Sequence, residues 1–448
     1  MQKNDKIILE ITATSSEGSG IGRYEGLAVF VPQAAVGDTL KVKILKVKSN
    51  CAYGKVEQII EPSPLRIEPD CQVFSKCGGC VYRHISYDAE LQIKQQKVED
   101  ALRRIGGVDM SPQPIVSDGV CSGYRNKAQY PVAQDGSVGF FATHSHRIIP
   151  CDSCGLQPEE FSLIAKIFSF WMMTSGNKPY LEETGRGLVR HLYIRKAVAT
   201  GEIMVCLVIN GDRVVAADRL VQDLRAELGD SLKTVVLNVN KKKTNVILSD
   251  ECKNLYGDGY IYDILCGVKI RISPLSFYQV NHDMAERLYS KAAEYAAPEG
   301  KTLLDLYCGA GTIGLSMAER AERVIGVEII PEAIKDAEFN AAQNGIANTE
   351  FICGDAAEAA AELAKRNIKP QTVIVDPPRK GCSAELLHTI AHDFAPDTLV
   401  YVSCDPATLA RDVKILNELN YEIKEYTPFD LFPRTSHVET VARLERRG

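Results

Sequence analysis

The stretch Thr302–Arg320, TLLDLYCGAGTIGLSMAER, decides how this 448-residue chain folds. TLLDLYC is an apolar run broken by a single acid, Asp305, as suits a strand buried on both faces. Gly309-x-Gly311-x-x-Gly314 then makes a turn at which backbone can approach a ligand closely before a helix begins. Working outward, RVIGVEI (323–329) reads as a second strand with Glu328 at its end. PEAIKDAEFNAAQNG (331–345) reads as a helix, TEFICGDA (349–356) as a third strand and TVIVDPPRKG (372–381) as a fourth. Strands alternating with helical stretches predict an α/β, Rossmann-like, doubly wound parallel sheet over residues 273–448.

The glycine fingerprint with Glu328 fits the ribose hydroxyls of NAD or of S-adenosylmethionine and does not choose between them. Two features favour S-adenosylmethionine: Asp305, read as an acid at the tip of the first strand, and Asp376-Pro377-Pro378 closing the fourth. The proline pair stiffens a turn where ligands meet such sheets. Amino-group methyltransferases carry Asn in the related Asn-Pro-Pro motif, so Asp376 points away from exocyclic-amine chemistry. Further on, TLVYVS (398–403) ends at Cys404, and Asp405-Pro406 starts a segment whose Leu409, Val413 and Leu416 repeat at helical spacing. A thiol at a strand-to-helix turn is expected to feel the positive helix end and to have a lowered pKa, which suits a nucleophile. The commoner use of such a cysteine is packing. FDLFPRTSHVETVARLERR (429–447) places His437 and Glu439 before a final alternating strand, Glu439 reading either as a partner of Arg434 or as a general base. SPLSFYQVNHDMAERLY (273–289) sets Gln279 and Asn281, read as exposed amides, beside Phe277 and Tyr278.

The N-terminal half reads differently. Residues 1–60 are short strands broken by glycine, five in number, which suggests a small OB-like barrel. From Lys41 to Lys55 there are five lysines and no acid, a face able to track phosphates. Residues 61–87 follow as a Pro-rich linker, EPSPLRIEP, and a cysteine segment, CQVFSKCGGC, with Cys71, Cys77 and Cys80. With Cys151 and Cys154 they allow two sites: zinc on Cys77/Cys80 and Cys151/Cys154, or a [4Fe–4S] cluster on Cys71, Cys77, Cys80 and one of the later pair. Residues 88–272 read as a small α+β central domain. It opens with an amphipathic helix over 88–106, continues through GYRNKAQYPV and VGFFATHSHRIIP, which mix cations with aromatics as RNA-binding surfaces do, and ends in antiparallel hairpins, one of them TVVLNVN-KKK-TNVILS.

Composition bounds the function. The chain is too long for one core. It has 45% hydrophobic and 25% charged residues, and no apolar run reaches a membrane-spanning length. MQKNDKIILE lacks the apolar region of a signal peptide, so a cytoplasmic protein is expected. Fourteen cysteines then argue for thiols, metal ligands or a nucleophile rather than disulfides. A net charge of −6 argues against a uniformly basic nucleic-acid binder and leaves local basic patches open.

Taken together, the barrel, the cysteine cluster, FYQVN, DLYCGAGTIGL, DPPRKG, YVSCDPATLARD and FPRTSHVE resemble the RNA (uracil-5-)methyltransferase family over essentially the whole chain. The likeness is greatest to members that modify 23S rRNA and carry a TRAM barrel with a [4Fe–4S] cluster. The resemblance implies Cys404 as nucleophile and Glu439 as base. It implies Gln279, Tyr307, Thr312, Glu328, Asp355 and Asp376 around S-adenosylmethionine and the target base. It also implies Cys71, Cys77, Cys80 and Cys154 as cluster ligands, since the family's fourth ligand lies three residues before a glutamine, here Gln157. Tyr307 stands where many members have Phe, and Thr312 where some have Asn. The implied partner is RNA, a flipped-out uridine of 23S rRNA, acted on by a monomer. A tRNA enzyme, an NAD-linked iron–sulfur oxidoreductase and a non-catalytic RNA-binding protein are the alternatives.

Overall fold

Alternating burial builds the N-terminal layer in the computed structural model, which describes residues 1–143, 145–151 and 153–447. Ile7 and Leu9 of Lys6–Glu10 and Leu40, Val42 and Ile44 of Thr39–Val47 point inward, while the residues between them face outward. The strands lie in the order Lys6–Glu10, Thr39–Val47, Cys51–Glu61, Leu27–Val31, Gly20–Tyr24, Ala13–Thr14. This is one strand more than expected, the extra one being the two-residue edge Ala13–Thr14. Strands approach so closely at Gly22 that an added Cβ would stand 2.2 Å from the Glu10 carbonyl oxygen.

The expected amphipathic helix is α1 (Tyr87–Arg104), N-capped by Ser86, whose Oγ accepts from the Ala89 amide at 3.3 Å. Its apolar residues Val98 and Leu102 join Leu409, Ala410 and Val413 of a second helix, α2 (Pro406–Glu418), in one core cluster. The helix therefore packs on the C-terminal domain, although its sequence leads into the central one. The central sheet has the order Cys252–Tyr256, Leu232–Val239, Ile203–Ile209, Val189–Lys196, Lys127–Pro131. It is mixed, not antiparallel throughout: Ile203–Ile209 and Leu232–Val239 run parallel, joined through the helix Ala217–Leu228. The expected strand TNVILS is also a loop. Asn240 Nδ2 donates to the Val246 and Ile247 carbonyls, and Asn238 Nδ2 to that of Ser249, so side chains replace the ladder there. One face of the sheet is covered by Phe161, Phe168 and Trp171 of the helix Glu159–Ser175 together with Leu220 and Leu224. The other face turns to the C-terminal domain, where Met204 shares a cluster with Tyr278, Met284 and Leu288.

The C-terminal sheet follows the sequence reading. Its strands are β1 (Thr302–Leu306), β2 (Arg323–Glu328), β3 (Thr349–Cys353), β4 (Thr372–Val375), β5 (Thr398–Ser403), β6 (Tyr421–Phe429) and β7 (Glu439–Arg446), in the order β3-β2-β1-β4-β5-β7-β6. The first five are parallel, and β7 runs antiparallel between β5 and β6. Strand order reverses between β1 and β4, and ligands of such sheets bind in the crevice at that point, beyond the carboxyl ends.

Candidate active site

The carboxyl ends of β1, β2, β4 and β5 open onto a cavity of about 1320 Å³, lined by Gln279, Tyr307, Thr312, Glu328, Asp355, Asp376, Cys404 and Glu439 among others. Tyr307 leaves β1 at φ 67° and is followed by Gly309 at φ 56° and Gly311 at φ 79°, so the chain doubles back before the helix Thr312–Met317. A bulky residue in the left-handed region costs on the order of 1–3 kcal/mol, a strain held here at the mouth of the crevice. Both oxygens of Glu328 are held by backbone: Oε2 accepts from the Gly309 amide at 3.2 Å and Oε1 from the Ile330 amide at 3.0 Å. Asp355 N-caps the helix Ala356–Lys365 by accepting from the Ala357 amide at 2.9 Å, and Thr312 Oγ1 lies 3.3 Å from the Tyr289 hydroxyl.

Two polar residues sit elsewhere than the sequence suggested. Asp305 lies inside β1, fully enclosed, and its Oδ2 accepts from the Gly314 amide at 2.9 Å. It braces the glycine turn from behind; burial pushes its carboxyl up to about 7. Asn281 is buried rather than exposed. It N-caps the helix His282–Ala296 and donates to the Leu431 carbonyl at 3.2 Å.

Cys404 lies between β5 and α2. The expected helix-end activation does not appear, because Asp405 occupies that end: its Oδ1 accepts from the Ala407 and Thr408 amides at 3.0 and 2.9 Å. Burial, then the Glu439 and Asp376 carboxylates, push the thiol up to about 11, opposed by Arg379. Glu439 opens β7 opposite Phe429 of β6. Burial, then Asp376, raise its carboxyl to about 8, again opposed by Arg379, while burial alone takes Asp376 to about 7. His437 is kept neutral: burial, then Arg379, Lys97, Lys94 and Arg125, hold it down near 4.

Arg379 is therefore a cation felt by both Cys404 and Glu439, and within DPPRKG nothing in the sequence marks it out from its neighbours. Its turn is closed by the Gly381 amide donating to the Pro378 carbonyl at 2.8 Å, and it is fastened to α2. Buried Asp412 of α2 accepts from the Cys382 amide at 2.8 Å and the Tyr401 hydroxyl at 2.7 Å, and Arg411 donates to the Lys380 carbonyl at 3.0 Å. The helix that follows Cys404 also fixes the turn that carries Arg379. Behind the His437 loop lies a second buried device. Lys94 Nζ donates to Glu90 and Asp430, each at 2.7 Å, and to the Phe432 carbonyl at 3.1 Å.

Cys71, Cys77, Cys80, Cys151 and Cys154 line a further lobe of the same cavity. Among the described residues, however, no group of three or more His, Cys, Asp or Glu side chains is arranged to hold a metal ion. The sulfurs are turned to local partners: Arg83 Nε donates to Cys80 Sγ at 3.3 Å, the Gly79 amide to Cys77 Sγ at 3.4 Å, and Cys151 Sγ to the Ser153 carbonyl at 3.2 Å. The expected ligand set Cys71, Cys77, Cys80 and Cys154 is thus brought to one lobe without being assembled as a metal centre. Burial, the largest cause, raises Cys77 and Cys154 and pushes Cys80 up to about 11; neighbouring thiolates add to it. A cation bound by the thiolates relieves that kind of penalty, so the donor chemistry fits a metal or cluster.

A seven-stranded sheet of this order, with a glycine turn after its first strand and an acid ending its second, is the fold of S-adenosylmethionine-dependent methyltransferases. The profile of the tRNA (uracil-5-)methyltransferase family matches residues 86–447, and that of the TRAM domain matches residues 3–56. The chain belongs to this family of RNA methyltransferases. An uncharacterized RNA methyltransferase of Clostridium acetobutylicum is 43% identical over 455 residues, covering 100% of this chain and 98% of its own, and one of Halalkalibacterium halodurans is 43% identical over 453 residues with the same coverage. Among solved structures, the tRNA (uracil-54, C5)-methyltransferase of Pyrococcus abyssi in complex with S-adenosyl-L-homocysteine superposes with a TM-score of 0.80 at 27% identity, covering 98% of this chain and 99% of its own.

Proposed function

We propose that this protein transfers a methyl group from S-adenosylmethionine to C5 of a uridine in RNA, with Cys404 as nucleophile and Glu439 as base. The observation that carries the reading is that Cys404, Glu439 and the six residues expected around the methyl donor line one cavity. S-adenosylmethionine supplies an electrophilic methyl, which C5 of uracil is too weak a nucleophile to take unaided. The Cys404 sulfur adds to C6, and the π pair of C5=C6 moves into an enolate, making C5 nucleophilic. The thiol proton leaves to the Asp376 carboxylate, at about 7, which leaves ionised Glu439 free for the later step. Once C5 carries the methyl, ionised Glu439 removes the C5 proton, C5=C6 re-forms and the Cys404 sulfur departs. One proton is released per methyl transferred. Arg379 favours the anionic forms of both groups. Incubating the protein with labelled S-adenosylmethionine and total RNA, then locating the label, tests the reading: label at C5 of uridine supports it, and label on amines or ribose refutes it.

For the RNA, 23S rRNA is the first reading, supported by the barrel and thiol segment. A tRNA is the second, favoured by the Pyrococcus abyssi enzyme, which acts on tRNA and covers this chain, barrel included. Mapping of 5-methyluridine by mass spectrometry in cells lacking the protein separates them: the lost modification names the substrate. We also propose a [4Fe–4S] cluster on Cys71, Cys77, Cys80 and Cys154, supported by the shared lobe of the cavity. Iron and sulfide analysis of anaerobically purified protein decides between it, zinc and free thiols.

A further inference from the structure

The edge strand Lys127–Pro131 pairs antiparallel with Val189–Lys196, and this register sets Lys127 directly opposite Arg195. Like charges across a ladder destabilise a sheet unless something lies between them. Among the described residues no carboxylate pairs with either. Buried Arg195 directs its guanidinium to the Tyr193 hydroxyl and the Ser276 carbonyl, both neutral acceptors. Lys127 Nζ has no hydrogen bond or ion pair among the described residues. Other cations of the same strand pair are matched: Arg190 binds Glu182 at 3.0 Å and Lys196 binds Glu160 at 2.6 Å. The missing acid at Lys127 is therefore local. Arg125, two residues earlier and so on the same side of the extended chain, likewise makes no ion pair, and it lines the catalytic cavity. Burial, then Arg195 and Arg125, push the Lys127 ammonium down to about 8, with no acid opposing them. The loop held by Arg195 carries Ser276 and Phe277 into the cavity wall, Phe277 being 69% exposed.

Arg125 lines the cavity and half-buried Lys127 follows it by two residues; with no ion pair on either among the described residues, the two suit an anion that arrives with the substrate. We propose that Arg125 and Lys127 form a seat for a phosphodiester of the RNA backbone next to the target uridine, with buried Arg195 adding its charge from behind. This rests on the reading of the protein as an RNA uridine methyltransferase. Turning a nucleotide out of its stack rotates its backbone, and a gripped phosphate fixes the pivot. A phosphate on Lys127 also offsets the repulsion between Lys127 and Arg195 across the strand pair.

The test uses the full-length protein, a short oligouridine and a salt series. Lys127→Gln is expected to weaken binding about tenfold, the worth of one charge-assisted hydrogen bond, and Lys127→Arg to keep wild-type affinity. In Lys127→Gln the slope of log affinity against log salt should fall by about 0.7, the loss of one single-strand phosphate contact. Oligonucleotides with single methylphosphonate replacements should include one that weakens the wild type but not Lys127→Gln. Equal affinity and slope in the wild type and Lys127→Gln, or methylphosphonates that weaken both proteins alike, overturn the seat. Binding needs no methyl transfer, so a protein that shows the Lys127 effect but methylates no RNA leaves the seat standing and removes the uridine reading instead.

Discussion

In the proposed mechanism Cys404 and Glu439 meet one difficulty from opposite sides: burial that excludes water from the target also disfavours the thiolate and the carboxylate such chemistry needs. With the thiol at about 11 and Glu439 at about 8, the steps separate. Glu439→Gln should leave addition and methylation largely intact and slow release by about 10²–10⁴-fold, the usual worth of a general base. The methylated covalent complex should then accumulate on a denaturing gel, and free turnover in that variant contradicts the role. In the wild type, release should rise with pH through about 8, as Glu439 ionises, and then level off. Arg379 lowers both groups, so Arg379→Met should move this limb to higher pH. The same shift affects stability. Unfolded Glu439 titrates at about 4.3, its ordinary value, so between there and about 8 the native state holds the extra proton and loses stability as pH rises. Glu439→Gln removes that loss. Its melting temperature should exceed the wild type's more at pH 8 than at pH 5.

At the scale of elements, α2 and the turn Pro378–Gly381 act as one body. Asp412→Ala would leave the buried Cys382 amide and Tyr401 hydroxyl without their acceptor, at a cost of about 1–3 kcal/mol each. Urea titration should show the loss. Gly381→Ala should also destabilise, since at φ 74° its Cβ would stand 2.6 Å from Asp412 Oδ2. These elements were legible from sequence where apolar runs met glycine or proline: β1 to β5, the glycine turn and α2 follow from TLLDLYC, GAGTIGL, RVIGVEI, TEFICGDA, TVIVDPPRKG and TLVYVSCDPATLARD. The direction a polar side chain takes was not legible. Asp305 read as an acid at the tip of a strand and Asn281 as an exposed amide, and both are internal braces, because an acid in a strand or an amide before a helix can bond inward. Asp405 has the same lesson for Cys404. Its sequence announces a helix start, but only the hydrogen bonds show that the cap takes the helix end for itself.

At the scale of the molecule, α1 ties the cysteine segment to the loop before β7 through Glu90, Lys94 and Asp430, all fully enclosed. No local pattern in the sequence reveals a pairing between residues so far apart. Lys94→Met should cost about 3–5 kcal/mol by removing the cation shared by two buried carboxylates, leaving Glu90 with Arg434 at 3.5 Å, and Glu90→Gln with Asp430→Asn in the same chain should recover most of it. Recovery of the folded fraction in denaturant without recovery of methylation would place the Phe432–His437 wall under the network's control. The cavity joins the thiol lobe, the methyl-donor crevice and the Cys404–Glu439 pair in one space, so a single substrate is expected to meet all three. The most direct measurement is incubation of the protein and S-adenosylmethionine with 5-fluorouridine-substituted RNA, followed by denaturing electrophoresis and peptide mapping. Fluorine cannot leave C5 as a proton, so the wild type should be trapped as a methylated covalent adduct through Cys404, and Cys404→Ala should form none; an adduct that persists in Cys404→Ala, or maps to another residue, contradicts the account.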